Sequence, residues 1–486
     1  MESSQSGRQG LKEGVSKETM KEEVTNITKD RITELPEVIL HKILAFLKAK
    51  DAVRTTILSK RWESIWASFP VLDFDESFWC SRKEFIDYVE NSLQRRSKVN
   101  IQKFKLYMKD LSRRNLDISS HIDSWIKFAI KGNLEELDLN MPPNVSIQLH
   151  RKLWYNLPQS IFKTESLTVL KLRRCRLVTS NEIKLPVLKT LSLEDINAED
   201  GFIQKLLSTF LVLETLSLLR CIGLKHFYCS SSKLQTLLVQ CMPQLNKFDI
   251  ETPNLQSFSL ALFDQTYPFA QSFQINAARL KSLSLHCLAI TEEIFEGLIS
   301  KFPLIENLKV VSCGLPRKFK FYKLEKLTSL MVFECMNLVE LEIDVPTLNS
   351  FNYTGQILLI SLMNTSCKLN VELNLQPIFV NSCWFSGLRE MLGWFGHVQI
   401  LTIFCKAHET EMFIIPKDLR ESSVPPLLDL KHLQLKTSSE SIMNYEELID
   451  SLLWISPNME TLSIDTDSSC KILKFQPKDL LGECEE

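Results

Sequence analysis

Glycine is scarce in this chain, 13 of 486 residues, where about 7% is usual. Loops that wrap phosphate need glycine for close backbone approach, and neither GxxxxGK[ST] nor GxGxxG occurs. The common nucleotide cradles are thereby excluded. Net charge is nearly absent as well: 57 Lys and Arg against 59 Asp and Glu leave −2. No global basic field exists to recruit nucleic acid or an anionic membrane, so neither is expected as a partner. No apolar run approaches the ~18 residues of a membrane-spanning helix. Metal-ligand spacing is also missing. The 13 cysteines and 8 histidines form no CxxC, HxxxH or HExxH, and no cofactor or metal is expected. Residues 1–28 are rich in Lys, Glu, Ser and Thr and contain no apolar segment. They read as a disordered leader rather than a signal peptide. A reducing compartment, cytosol or nucleus, is expected.

What is present begins at residues 30–69, DRITELPEVILHKILAFLKAKDAVRTTILSKRWESIWASFP. Pro36 sits where a helix starts, since a first-turn residue needs no N–H partner. Ile39, Leu40, Ile43, Leu44 and Leu47 recur at spacings of three and four, along one side of that helix. Asp51 is a suitable N-cap for a second short helix through Ile57. Ser59 is placed to cap a third, carrying Trp62, Ile65 and Trp66. A stripe of this kind usually marks an ordinary buried helical piece. About 40 residues is near the lower limit for an independent fold, and two Trp with this many aliphatics imply a surface completed by a partner.

The same stretch resembles the F-box. Leu35-Pro36 followed by Ile39-Leu40, the ILAFL run, the KDAV start of helix two and the LSKRW of helix three fall in the family order. The plant pattern "DRI..LP" to "LSKRW...W...P.LDFD" is matched through Asp75. F-box proteins bind a Skp-family adaptor, which joins them to cullin and RING subunits in an SCF ubiquitin ligase. The resemblance implies a substrate receptor with no active site of its own. It implies adaptor binding by Leu35, Pro36, Ile39, Leu40, Ile43, Leu44, Leu47, Val53, Leu58, Ser59, Trp62 and Trp66. Trp62 is expected to be the hot spot, as large central aromatics usually are. Six to eight such side chains give a gross gain of ~10–20 kcal/mol against an association cost of about 4–15 kcal/mol.

An internal repeat occupies most of the remaining chain. The string L-x-x-L-x-L recurs from Leu134, Leu167, Leu188, Leu213, Leu234, Leu255 and Leu280, then from Ile305, Leu327, Leu348, Val398, Leu430 and Met459. Start positions from 167 to 348 differ by 21, 25, 21, 21, 25, 25, 22 and 21, inside the about 20–29 residues of leucine-rich repeats. Cys175, Cys221, Cys313 and Cys335 each fall three residues after a repeat's third apolar position, the N/C site of the repeat signature. They read as buried packing residues. Alternation sends the apolar side chains of each strand inward and residues such as Thr168, Lys171, Thr190, Ser192, Thr215 and Ser217 outward. Stacked strands of this type make a broad polar surface suited to a macromolecule, without the deep cavity of an enzyme.

The fold class expected is α+β: a small N-terminal helical F-box, then an α/β leucine-rich-repeat solenoid, a horseshoe of parallel strands. The F-box covers 29–75. A first strand is expected at Leu72-Asp73-Phe74-Asp75, and residues 76–133 are a join and N-terminal cap, with a strand near Phe104 and helices through Phe85 and Trp125. Regular repeats span 134–355, irregular ones 356–470, and a tail 471–486. Residues 384–403 read as helix, turn and strand, and 425–465 as strand, helix and strand. This last part resembles the lead-in to the FBD region of plant F-box proteins. The terminal "LKxIxIxGFxG"-like element does not follow, so a complete FBD is not assigned.

The leading expectation is a non-catalytic receptor for an unidentified protein to be ubiquitinated. One alternative is a leucine-rich-repeat scaffold acting outside a ligase. A second is a cysteine-dependent ubiquitin ligase using Cys470 or Cys484, although no base or helix N-terminus is evident beside either. No residue cluster in the sequence points to a small-molecule co-ligand, and none can be assigned to substrate.

Overall fold

The computed structural model describes residues 32–475 apart from 33, 97–99, 110–117, 142–153, 179–181, 199–200, 241–244, 246, 262–272, 336, 366–367, 406, 438–443 and 467–469. The leader expected at 1–28 and residues 476–486 of the tail lie outside the described residues. Two compact units divide the chain, Met1–Gln148 and Leu149–Glu486.

The first unit opens with helices α1 (Glu37–Phe46), α2 (Ala49–Arg54) and α3 (Lys60–Ser68). Strand β1 (Val71–Asp75), helix α4 (Arg82–Gln94), strand β2 (Lys103–Tyr107), helix α5 (Ile118–Ile130) and strand β3 (Glu136–Asn140) follow. The three strands are parallel and in register, Leu72 beside Phe104 and Phe104 beside Leu137. Each crossover carries a helix, the usual connection between parallel strands. Helices α4 and α5 seal one face through Phe85, Val89, Ile122 and Trp125, all buried. The Phe85 and Trp125 rings meet edge to face at 6.1 Å. Gly132 ends this packing: a Cβ there would lie 2.7 Å from the Ile101 backbone nitrogen, so only glycine allows the approach.

In the second unit the repeat strands form one parallel ladder. Leu170, Leu191, Leu216, Leu237, Phe258, Leu283, Leu308, Leu330 and Phe351 stand side by side, and all are buried. The ladder continues through Asn370–Leu375, Ile400–Cys405, His432–Thr437 and Thr461–Thr466. An antiparallel strand, Cys470–Lys474, pairs with the last of these. Helices Ser382–Gly393 and Tyr445–Ile455 fill the longer connections of this region.

The return side of the solenoid departs from a plain α/β pattern. Parallel ladders join Tyr155–Asn156, Cys175–Leu177 and Asn197–Ala198; His226–Ser230, Lys247–Glu251 and Phe273–Asn276; and Lys318–Phe321, Glu340–Asp344 and Leu359–Met363. The 21-residue steps from 213 and from 327 return as strands, and so does the 25-residue step from 255, through Phe273–Asn276, whereas the 25-residue steps from 188 and from 280 contain helices Phe202–Leu207 and Glu292–Ile299. Step length alone therefore does not set the return conformation.

After six of the strands the chain turns through a left-handed residue: Arg174, Asp195, Arg220, Cys287, Ser312 and Glu334 have φ between 47° and 58°. The next residue points inward. Cys175, Cys221 and Cys313 are buried there and Cys335 is half-buried. The Cys221 thiol donates to the Leu193 carbonyl at 3.4 Å and the Cys313 thiol to that of Leu285 at 3.5 Å. Each therefore ties its turn to the preceding strand.

Candidate functional site

Helix α1 begins after Pro36, whose extended backbone precedes the first turn without a side-chain cap. Leu47 ends it. Helix α2 starts from extended Lys48, and Asp51 lies inside its first turn rather than at the N-cap. Asp51 Oδ1 accepts from Arg54 Nη1 at 3.0 Å instead. Ser59 caps α3, its hydroxyl accepting from the Trp62 N–H at 3.2 Å.

These helices enclose a core of Leu40, Leu44, Ala52, Trp62, Ile65, Trp66 and Phe69. Polar ties close its rim. Arg61 Nη2 donates to the Leu35 carbonyl at 2.7 Å, and Ser68 Oγ donates to Glu37 at 2.7 Å. The head also reaches into the rest of its unit. Arg96 Nη1 donates to the Phe69 carbonyl at 2.7 Å, and the guanidinium lies 4.1 Å from the Trp66 ring centroid.

The sequence-derived adaptor set therefore divides. Trp62 and Trp66 are each 4% exposed, and Leu40 and Leu44 are sealed beside them. These four side chains belong to the head's own core in the free chain, and the hot-spot role expected of Trp62 finds no exposed ring to carry it. Leu35, Ile43 and Val53 are half-buried against the core, and Ser59 is half-buried with its hydroxyl used in the cap. Pro36, Ile39, Leu47 and Leu58 are exposed. The most prominent apolar side chains are ones the sequence reading left out of the set: Phe46 at 91% and Ile57 at 84%, with Ile32 and Val38 also exposed. Ile39, Ile43 and Phe46 follow one another at four and three residues on α1, a spacing that places them on one side. Phe46 was legible in the ILAFL run. The larger indoles drew the assignment away because size favours burial in a core as strongly as centrality in an interface.

A second surface lies on the open face of the long sheet. Thr190, Thr215, Thr236, Ser257, Ser282 and Asn307 form one in-register row of half-exposed hydrogen-bonding groups. At the turn ends of the first strands, Arg220 contacts both Glu194 Oε1 and Asp195 Oδ1 at 2.6 Å.

Burial pushes the Cys175, Cys221 and Cys313 thiols up to about 12 and that of Cys335 to about 11. Cys470 is exposed, and its hydrogen bond to Asp465 raises its pKa, opposite to the activation a nucleophile needs. Cys484 lies outside the described residues. Among the described residues no group of three or more His, Cys, Asp or Glu could hold a metal, and no helix is long and apolar enough to cross a membrane.

A helical head with unpartnered apolar side chains, followed by stacked leucine-rich strands, defines a protein-interaction class. The family described as "At1g61320/AtMIF1, LRR domain" matches residues 92–277 and 265–476, and the F-box domain family matches residues 32–74. The chain belongs to the plant F-box/leucine-rich-repeat family. It is similar to the putative F-box/FBD/LRR-repeat protein At5g22610 of Arabidopsis thaliana, 32% identical over 39% of this chain and 38% of that protein. It is similar also to At3g59240, of the same description and organism, at 32% over 47% of each. The putative F-box/LRR-repeat protein At3g58880 of that organism is 31% identical over 52% of this chain and 57% of its own length. The chain thus spans between about two fifths and three fifths of these curated relatives.

Proposed function

We propose that this chain is the substrate-receptor subunit of an SCF ubiquitin ligase. The head docks a Skp-family adaptor through Ile39, Phe46, Leu47, Ile57 and Leu58, with half-buried Leu35 and Ile43 supporting that surface. The open face of the repeat sheet holds the protein to be ubiquitinated. Cullin and RING subunits join through the adaptor, and the chain contributes no catalytic group. It acts by effective concentration: holding substrate beside a charged conjugating enzyme makes transfer nearly intramolecular. Its place of action is the cytosol or the nucleus.

The observation that carries this reading is the pair Phe46 and Ile57, large apolar side chains left in water by a head whose own core is complete. Such exposure marks a partner surface. Co-expression of the full chain with a Skp-family adaptor tests it. The wild-type chain co-elutes with the adaptor on size exclusion, and the double variant Phe46→Asp, Ile57→Asp elutes alone with unchanged circular dichroism. A wild-type chain that never co-elutes leaves a scaffold outside any ligase. Self-ubiquitination in the presence of cullin and RING should survive Cys470→Ala with Cys484→Ala; its loss would restore the cysteine-dependent alternative.

A further inference from the structure

A cleft of about 310 Å³ opens in the first unit between the helical head and strand β1. Leu44, Leu47, Ala52, Trp66, Phe69 and Val71 give it apolar walls. Arg96 and Tyr88 line it, and Asp73, Lys103 and Lys105 stand on the strand side. The strand side is electrically balanced. Lys103 and Lys105 lie 3.0 and 3.8 Å from the two Glu136 oxygens, and Asp73 is the in-register neighbour of Lys105.

Among the described residues Arg96 has no counter-ion. It is 2% exposed, and among the described residues its interactions are the Phe69 carbonyl, the face of Trp66 and the neighbouring Tyr88. Its Nε is buried without an acceptor. Burial draws the guanidinium down to about 10, which leaves it charged at neutral pH. A buried charge without a counter-ion costs several kcal/mol, and one carbonyl plus a cation–π contact offsets only part of that. Burial holds Tyr88 above its ordinary pKa against the opposing effects of Arg96 and a hydrogen bond with Ser92, so its hydroxyl keeps its proton and can donate.

We propose that this cleft binds a small amphipathic monocarboxylate. The carboxylate supplies the missing counter-ion to Arg96 and accepts from Tyr88, and its hydrocarbon body lies along Leu44, Leu47, Ala52 and Trp66. The volume is at the lower end of the about 300–1,000 Å³ of small-molecule sites. Asp73 lines the same space; burial raises its pKa, Lys105 opposes that shift, and Asp75 and Asp138 add to it. A second negative charge on the ligand would meet that carboxyl, so a monoanion is preferred over phosphate. Leu44 and Leu47 follow from α1 and Ala52 from α2, so an occupant braces the two helices that end near Phe46 and Ile57. The inference does not depend on ligase assembly.

Calorimetric titration and thermal unfolding of the full chain test the site with octanoate below its micellar concentration. The comparison ligands are octan-1-ol, octylamine, acetate and inorganic phosphate. Octanoate should bind and raise Tm, with the alcohol and the amine at least tenfold weaker and acetate and phosphate without effect. Arg96→Met should abolish octanoate binding and Arg96→Lys should retain part of it. Because Arg96→Met also removes the donor to the Phe69 carbonyl, the ligand series on the unaltered chain decides independently. Equal binding of octanoate and octan-1-ol, phosphate binding in place of octanoate, no binding of octanoate at all, or undiminished affinity in Arg96→Met would each overturn the proposal.

Discussion

Phe46→Ala and Trp62→Ala are expected to fail in different assays. The Phe46 ring is 91% exposed in the free chain, so its removal should change folding stability by no more than about 0.5 kcal/mol. Docking that buries the ring is worth about 1.5–3 kcal/mol. At about 1.4 kcal/mol per tenfold, the Kd for the adaptor should rise roughly ten- to 150-fold. Trp62 is 4% exposed and packs among Leu40, Leu44, Ile65 and Trp66. Its truncation should cost about 3–5 kcal/mol of stability through lost transfer and a residual cavity. That is a large share of the about 5–15 kcal/mol of a typical domain, so adaptor binding would fall only because the head unfolds. Calorimetric titration with the adaptor gives the first quantity, and urea unfolding followed by tryptophan fluorescence gives the second. A Trp62→Ala chain that keeps the wild-type urea midpoint yet loses the adaptor would put the indole at the partner surface. A Phe46→Ala chain with undiminished affinity would remove α1's outer side from it.

The other expectations concern the scaffold. Leu216 is fully buried between Leu191 and Leu237, so Leu216→Asp should destabilise the second unit by several kcal/mol, the cost of an unpaired charge in an apolar core, read as a fall in its urea midpoint. Gly132→Ala must displace the Ile101 backbone, and thermal unfolding should show a loss of about 1–3 kcal/mol. Iodoacetamide at pH 8 should alkylate exposed Cys80 and Cys383 fastest. Cys470 should follow more slowly, since its raised pKa leaves less thiolate at that pH, and raising the pH should close the gap. Cys175, Cys221 and Cys313, pushed up to about 12 by burial, should react only on unfolding. Peptide mass spectrometry would read the order, and early labelling of Cys221 would contradict the thiol-to-carbonyl contact.

The repeat ladder was legible because one leucine spacing fixes both the strand and its inward face, as at Leu188, Leu191 and Leu193. The return side was not read: 25-residue steps return with a helix from 188 and from 280 but with a strand from 255, so the spacing of the leucines does not announce the choice. The turn residues escaped for a different reason. Arg174, Arg220 and Glu334 are not of the residue types enriched at positive φ, so nothing in their identity announces it, and Asp195 is the one such residue among these four turns. In the head, helix boundaries near Pro36 and Ser59 were legible from capping chemistry, while Asp51 misled because an acidic residue suits a first turn as well as a cap. Inner and outer apolar residues of α1 could not be separated by periodicity. Ile39, Leu40, Ile43, Leu44 and Phe46 occupy adjacent sides of the helix, and only the position of α3 decides which of them it covers.

Closure of the indoles inside the head has a kinetic and calorimetric meaning for any partner that lands on it. The landing surface exists before the encounter, so no segment need become ordered in the act of binding, and that entropic penalty is avoided. Association should resemble the meeting of two preorganised bodies, with a heat-capacity change set by the contact area alone and an on-rate free of any slow conformational phase.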